Sequence, residues 1–282
     1  MEVLALLPEI SLVVFAAILI IIDLQLKKER KELLAYITFA GLAVIFLLTI
    51  LFNRPEQGGE TAVLAGMLRH DLLAFVFRLV FLTGAALTAL LTVEWTTLSR
   101  RGEFYILLVI STLGMNLMAS AGNLVMLFLA IETASIPLYA MAGFMKDDDR
   151  STEAGFKYLL FGAMTSAVML YGFSLMYGFS GTADIYALAE AFKEVPSVPL
   201  FASLVLVLVG FGFKVSMVPL QFWAPDVYEG APTPVTGFLS TASKAAGFSV
   251  LARVLLVVFP VADWQLILAV VSAVTMTLGN LV

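Results

Sequence analysis

Hydrophobic residues along this chain come in long continuous runs interrupted by short polar or charged stretches. The runs cover positions 3–26, 33–52, 71–97, 104–121, 124–145, 153–179, 198–228, 233–259 and 263–282. A hydrocarbon layer of ~30 Å needs about 20 apolar residues in a helix, so each run is long enough to cross a membrane. Alternation over ~10-residue pieces, the mark of spanning strands, is absent, which argues against strands. Residues 183–195 have amphipathic helical spacing but are too short and polar to span, and belong at an interface. The stretch Asn53 to Gly59 reads as a plain loop.

Composition agrees with this pattern. Of 282 residues, 61% are hydrophobic and only 13% charged. Mean hydropathy is +1.01. Ordinary soluble domains carry about 25% charged residues. The N-terminal run begins at acidic Glu2 without a basic leader, so it reads as a first span rather than a cleaved signal.

Direction follows the basic residues. With the N-terminus outside, cytoplasmic loops hold eight of them: Lys27, Lys28, Arg30, Lys31, Arg100, Arg101, Lys146 and Arg150. Outer loops hold three, Arg54, Arg69 and Lys193. The positive-inside rule favours that orientation. The remaining five, Arg78, Lys157, Lys214, Lys244 and Arg253, fall inside apolar runs.

A charge at the centre of a bilayer costs on the order of 2.5–3.5 kcal/mol, so these residues must pair, hydrate or neutralise. Glu132 lies near the middle of its span. Pro137 frees the carbonyl of Thr133 a turn earlier, and the hydroxyls of Thr133 and Ser135 are placed to hold water beside the carboxylate. Lys214 sits late in a span that Pro219 and Pro225 should break, and a broken helix inside a membrane is tolerated where it lines a cavity. Lys244 lies near mid-depth of the next span, with Ser240, Thr241 and Ser243 around it. Desolvation disfavours a charge, whereas an opposing charge at ~4 Å restores about 4 kcal/mol at an effective dielectric near 20. Making or breaking a Glu–Lys pair therefore has the energy to move a proton. For Lys157, charge alone leaves proton transfer and a structural pair equally open. Arg78 and Arg253 suit structural pairs near helix ends, and Glu9 and Asp23, in the end turns of their span, suit the interface.

Other chemistries are excluded. Cysteine is absent and His70 is the single histidine, so neither a thiolate metal site nor a haem pair can form. No phosphate-binding glycine loop or dinucleotide fingerprint is present. No basic stripe with interleaved aromatics suits nucleic acid. Redox or nucleotide chemistry would have to take place in a partner.

The run Lys214-Val-Ser-Met-Val-Pro-Leu-Gln-Phe-Trp-Ala-Pro-Asp-Val-Tyr-Glu-Gly-Ala-Pro-Thr-Pro-Val-Thr-Gly-Phe-Leu-Ser-Thr-Ala-Ser-Lys-Ala-Ala-Gly-Phe248 resembles the signature of antiporter-like subunits of respiratory complex I, the NADH:quinone oxidoreductase. The Ser-Thr-Ala-Ser-Lys-Ala-Ala-Gly form at 240–247 is similar to subunit N, the counterpart of mitochondrial subunit 2. Glu132 in Ala-Ile-Glu-Thr-Ala-Ser-Ile-Pro-Leu-Tyr and Lys157 in Glu-Ala-Gly-Phe-Lys-Tyr-Leu-Leu-Phe-Gly add to the likeness. It implies an all-α polytopic membrane fold with inverted five-helix repeats, each with a broken helix. Residues 1–100 would form three N-terminal helices and 101–260 the first repeat, broken near 214–225. Residues 261–282 would open a second repeat that is incomplete here, without the lysine of the later half-channel. By the same resemblance, Glu132 and Lys214 form an acid–lysine pair of a proton half-channel, Lys244 continues it, and Lys157 is a further proton-transfer position. The family often has a histidine shortly after the helix-breaking proline, where this chain has Leu220 and Gln221.

The resemblance also implies no cofactor in this chain. NAD, FMN, iron–sulfur clusters and quinone would lie in partner subunits of a membrane arm in a bacterial plasma (inner) membrane. Two other readings fit the residues: a subunit exchanging cations for protons, and a scaffold whose ion pairs only hold helices together.

Overall fold

A computed structural model describes residues 2–27, 30–55, 61–194, 196–259 and 261–281. Lys28, positions 56–59 of the expected plain loop and Val282 lie outside the described residues. Among the described residues, nine helical segments are long and apolar enough to cross a membrane, as expected. They begin with α1 (Leu7–Gln25) and α2 (Leu33–Phe52), after which a hairpin of β1 (Thr61–Val63) and β2 (Leu68–His70) leads into α3 (Leu72–Leu91). Then come α4 (Gly102–Ser120), α5 (Leu124–Ala142), α6 (Asp149–Ser180) and the short α7 (Ile185–Ala191). The run 198–228 divides into α8 (Ser197–Val215) and α9 (Trp223–Gly230). Last are α10 (Thr233–Val258), which contains a π-helical stretch Leu239–Ser243, and α11 (Val261–Leu281).

Helix ends follow local chemistry. Asp71 caps α3 by accepting from Ala74 N at 2.8 Å, and Asp184 caps α7 by accepting from Tyr186 N and Ala187 N. The run 71–97 does not stay helical: a 3₁₀ turn at Thr92–Glu94 interrupts it, with Thr92 bonded to Tyr105 Oη at 2.8 Å. In α6 the helix starts earlier than the apolar run because Asp148 accepts from Arg150 N at 3.0 Å. The hairpin escaped the sequence pattern because three-residue strands have no readable alternation. Its turn places Leu64, Ala65 and Gly66 at positive φ, where only Gly66 is at ease.

Loops gather by charge. At one end Lys31 pairs with Asp23 at 2.6 Å and Arg100 with Glu32 at 2.6 Å, and Arg100, Arg101 and Lys146 line one groove. At the other end the hairpin bonds to the α4–α5 link through Gly122 N to Met67 O at 2.9 Å, and Ile185 N donates to Gly122 O at 3.0 Å. α7 buries Ile185 and Leu188 rather than lying free on a surface.

The core centres on α4 and α5, which cross where Gly114 faces the backbone of Thr133 and Ala134. A Cβ on Gly114 would stand 2.3 Å from Ala134 N. Ser111 Oγ donates to Ala134 O at 3.0 Å beside that crossing. Large apolar side chains of α1 and α2, such as Val13, Ile21, Leu47 and Leu51, face outward, as lipid-facing helices require.

Two intramembrane arginines are structural. Arg78, 1% exposed, pairs with Glu9 at 2.7 Å, donates to Asn53 Oδ1 at 3.0 Å and lies 3.4 Å from His70 Nδ1. Glu9, near the end of its helix, is therefore buried between helices. Arg253 holds Asp71 with two nitrogens, at 2.7 and 2.9 Å, and also donates to Ala119 O and Tyr186 Oη. Both guanidiniums tie distant parts of the chain together at the hairpin end.

Removing one partner of a buried pair leaves an uncompensated charge that costs about 3–5 kcal/mol. Arg78→Met should therefore lower the thermal midpoint of the detergent-solubilised protein strongly, and adding Glu9→Gln should recover part of the loss. Burial, and secondarily the charge of Arg78, holds His70 below its ordinary pKa of 6.5. A neutral folded histidine contributes stability that is complete above pH 6.5 and declines as pH falls toward its lowered folded value. Thermal midpoints measured from pH 8 to 5 should fall at the acid end, and His70→Gln should flatten that decline.

Candidate functional site

The break between α8 and α9 organises the site. Ser216 takes left-handed angles (φ 57, ψ 45), and Met217 N and Ser216 N turn back to Gly212 O and Phe213 O. Helix α8 thus ends at Val215, four residues before Pro219, and Val218, preceding the proline, is itself disfavoured in helical geometry. Pro225 does not break anything. It occupies the third position of α9, where a missing N–H has no helical acceptor to lose.

This ending puts Lys214 in the last turn of α8, where the helix dipole favours a cation. The side chain is 6% exposed and donates from Nζ to Ser135 Oγ at 2.6 Å. Gly247 of α10 permits the close approach that encloses it: a Cβ there would stand 3.3 Å from the Lys214 stem and 2.8 Å from Val215 Cγ1.

Glu132 lies on α5, one turn before Ser135. Its Oε1 accepts from Ser166 Oγ of α6 at 2.7 Å, and its charge acts electrostatically on Lys214. The hydroxyls expected around it behave differently. Thr133 turns to Leu129 O at 2.7 Å, while Ser135 donates to Ile131 O at 2.5 Å and accepts from Lys214. Glu132 and Lys214 are thus brought together with two serines, one holding each charge.

Lys244 directly follows the π-helical stretch Leu239–Ser243, a distortion frequent at functional sites. Its Nζ lies 5.4 Å from the centre of the Tyr228 ring, a cation–π arrangement. A series of aromatic contacts connects α5 with the Tyr228 ring beside Lys244. Tyr139 meets Tyr158 edge-on at 4.7 Å, Tyr158 stacks on Trp223 at 4.6 Å, and Trp223 meets Tyr228 at 5.9 Å. Tyr139 and Tyr158 have hydroxyls beside Ser135 and Ser243, so polar groups run alongside the rings.

At the break, the buried atoms Ser216 Oγ, Gln221 Oε1 and Tyr228 Oη close no well-formed hydrogen bond, although the Ser216 and Tyr228 hydroxyls are neighbours. Polar atoms of this kind are attachment points for internal water.

Lys157 stands elsewhere. It pairs with Glu153 at 2.6 Å and with Asp226, and its side chain is 34% exposed. Nine residues separate it from Ser166 on α6, about 13 Å of helix. The sequence reading missed Ser166, Tyr139, Tyr158 and Tyr228. Tyr139 carried a signal, seven residues from Glu132 and so two turns along the same helix face. Nothing local distinguishes Ser166 from other serines in an apolar helix. Among the described residues, no three His, Cys, Asp or Glu side chains gather as metal ligands.

Residues 121–282 match the family described as NADH:quinone oxidoreductase/Mrp antiporter, TM. The chain is similar to NADH-quinone oxidoreductase subunit N of Dehalococcoides mccartyi, 39% identical over 288 residues, covering 97% of this chain and 58% of that protein. A chain of respiratory complex I from Thermus thermophilus superposes with a TM-score of 0.81 at 35% identity, covering 97% of this chain and 57% of that one. A chain of the Mrp complex from Dietzia sp. shares the fold at 20% identity, with a TM-score of 0.75 over 92% of this chain and 49% of that one. The chain thus spans rather more than half the length of the complex I relatives it matches. A match over that much of the chain, with a break beside a buried lysine, shows that it belongs to the membrane-spanning family common to NADH:quinone oxidoreductases and Mrp antiporters.

Proposed function

We propose that this chain is a membrane-arm, proton-translocating part of an NADH:quinone oxidoreductase. Protons move through Glu132, Lys214 and Lys244 in response to redox chemistry in partner subunits that hold NAD, FMN, iron–sulfur clusters and quinone. The observation that carries the reading is Lys214: a buried ammonium at a helix break, held by Ser135 at 2.6 Å and acted on by the Glu132 charge. The charge on Lys214 depends on its partner. With Glu132 ionised, the Lys214 ammonium is compensated; with Glu132 neutral or turned away, the low-polarity surroundings favour release of the lysine proton. Polar groups at the break and beside the tyrosines lead from there toward Lys244.

Within this reading, residues 1–100 supply three helices, 101–260 the first five-helix repeat, and 261–282 the start of a second. The segregation of basic loops to one end supports an N-terminus on the outer side of a bacterial plasma membrane. Lys157, which the resemblance places among the proton-transfer residues, forms no part of the Glu132–Lys214 cluster.

Glu132→Gln or Lys214→Met should lower NADH-driven proton pumping by about tenfold in reconstituted vesicles, corresponding to about 1.4 kcal/mol of lost coupling. Assembly, judged by native gel, should change little. Full pumping in the assembled variant would remove that residue from the route. For Lys244, Lys244→Arg should fail as completely as Lys244→Met if the side chain must release a proton, because arginine keeps its charge. Restored pumping with arginine would show that charge alone suffices.

A further inference from the structure

Helix α9 is the segment on which the geometry around Lys244 depends, and it is poorly equipped to hold itself. It has eight residues, with the α8–α9 break on one side and Ala231-Pro232 on the other. Helices that short are not stable alone and take their position from packing. Their packing partner here is the first part of α6, along an antiparallel seam. Tyr158 stacks on Trp223 at the inner end of the seam, at 4.6 Å with planes 14° apart. Lys157 meets Asp226 one turn further along α9, and Glu153 holds the same ammonium at 2.6 Å. At the outer end Arg150 pairs with Glu229 at 3.3 Å, and a Cβ on Gly230 would stand 2.4 Å from Arg150 O, so the two backbones touch.

We propose that Lys157 is a positioning residue whose pairing with Asp226 clamps α9 onto α6 and so fixes Tyr228 beneath Lys244. Asp226 and Tyr228 are two residues apart on one short helix, so displacement of the first displaces the second. Two carboxylates, Glu153 and Asp226, surround the one ammonium, and loss of its proton would leave two anions facing each other without compensation. That arrangement suits a fixed charge and opposes a proton carrier. The stack of Tyr158 on Trp223 sets the depth of the seam, and the ion pair sets the rotation of α9 about that contact. The effect on pumping rests on the proton-translocation reading; the clamp itself does not.

The chain has no cysteine, so one introduced cysteine is the sole thiol on it. Gln221→Cys in the break is therefore a reporter, read as its labelling rate by a water-soluble maleimide in native membranes. In that background Lys157→Met, or Asp226→Asn, should speed labelling by about three- to fivefold, the range of an ion pair of this exposure. Lys157→Arg and the exchange Lys157→Asp with Asp226→Lys should stay within about twofold of the parent, since each keeps an ion pair across the seam. NADH-driven pumping, measured in membranes with the same variants but without the reporter cysteine, should fall with the methionine and asparagine variants and persist with arginine and the exchange.

Unchanged labelling with methionine overturns the clamp, whatever pumping does. Parent-like labelling combined with lost pumping in the arginine variant keeps the clamp but overturns the assignment of Lys157 as a positioning residue only, and makes it a proton carrier. Faster labelling in the methionine variant with unchanged pumping keeps the clamp and overturns its link to translocation.

Discussion

A backbone amide inside a lipid layer has no water to bond to, so every departure from regular helix must be enclosed by protein. This constraint governs the placement of nearly every functional feature in the chain. Pro137 in α5, Lys214 and Ser216 at the α8–α9 break, and Leu239, Ala242 and Ser243 of the π-helical stretch are buried against neighbouring helices, while Pro219, Phe222, Ser240 and Thr241 stand on the outer side of the same distortions. Because each needs a covering neighbour, they collect in one region. That region is also where a lysine can be buried without being surrounded by hydrocarbon. The same requirement explains the glycines at the closest approaches: Gly114 brings α4 onto the α5 backbone, and Gly247 brings α10 onto the Lys214 stem.

Buried charge is managed in two ways. Arg78 and Arg253 are saturated: each guanidinium has a carboxylate and further acceptors, a geometry suited to five fixed donors. They lock the hairpin end, tying α1 to α3 and α3 to α10. Lys214 has one serine and an electrostatic partner. A fully satisfied charge anchors a structure, whereas a sparsely satisfied one can change state. The contrast separates the two arginines from the lysine without reference to any relative.

The spans were legible because each is a continuous apolar run, and among the described residues eight of the nine segments appear close to their expected limits, the exception being the run 198–228, whose spanning helix stops at Val215. Glu132 and Lys214 were legible because a charge in such a run is conspicuous. What sequence did not show depends on tertiary packing. Which hydroxyl meets Glu132 is decided by the crossing of α5 and α6, not by neighbours in the chain, so Ser166 was invisible and Thr133 was overvalued. The pairing of Glu9 with Arg78 was invisible because it joins residues 69 positions apart. Proline content suggested where α8 stops, yet only the covering structure decided that the turn falls at Ser216. Lys157 stood out by charge, but the exposed carboxylate beside it comes from a helix 69 residues further on.

Ser135 has a single hydroxyl hydrogen, and it is committed to Ile131 O at 2.5 Å while the oxygen accepts from Lys214. The lysine can therefore give a hydrogen bond to this serine but cannot receive one from it unless the hydroxyl first swings off the carbonyl. Either protonation state of the lysine keeps an N–H to give to this oxygen, so the contact holds the side chain in place whether or not it is charged. Ser135 as it stands cannot hand the lysine a proton, so in the proposed route a proton reaching the amine would have to arrive from another side, and the Ile131 carbonyl is what keeps the serine in that role.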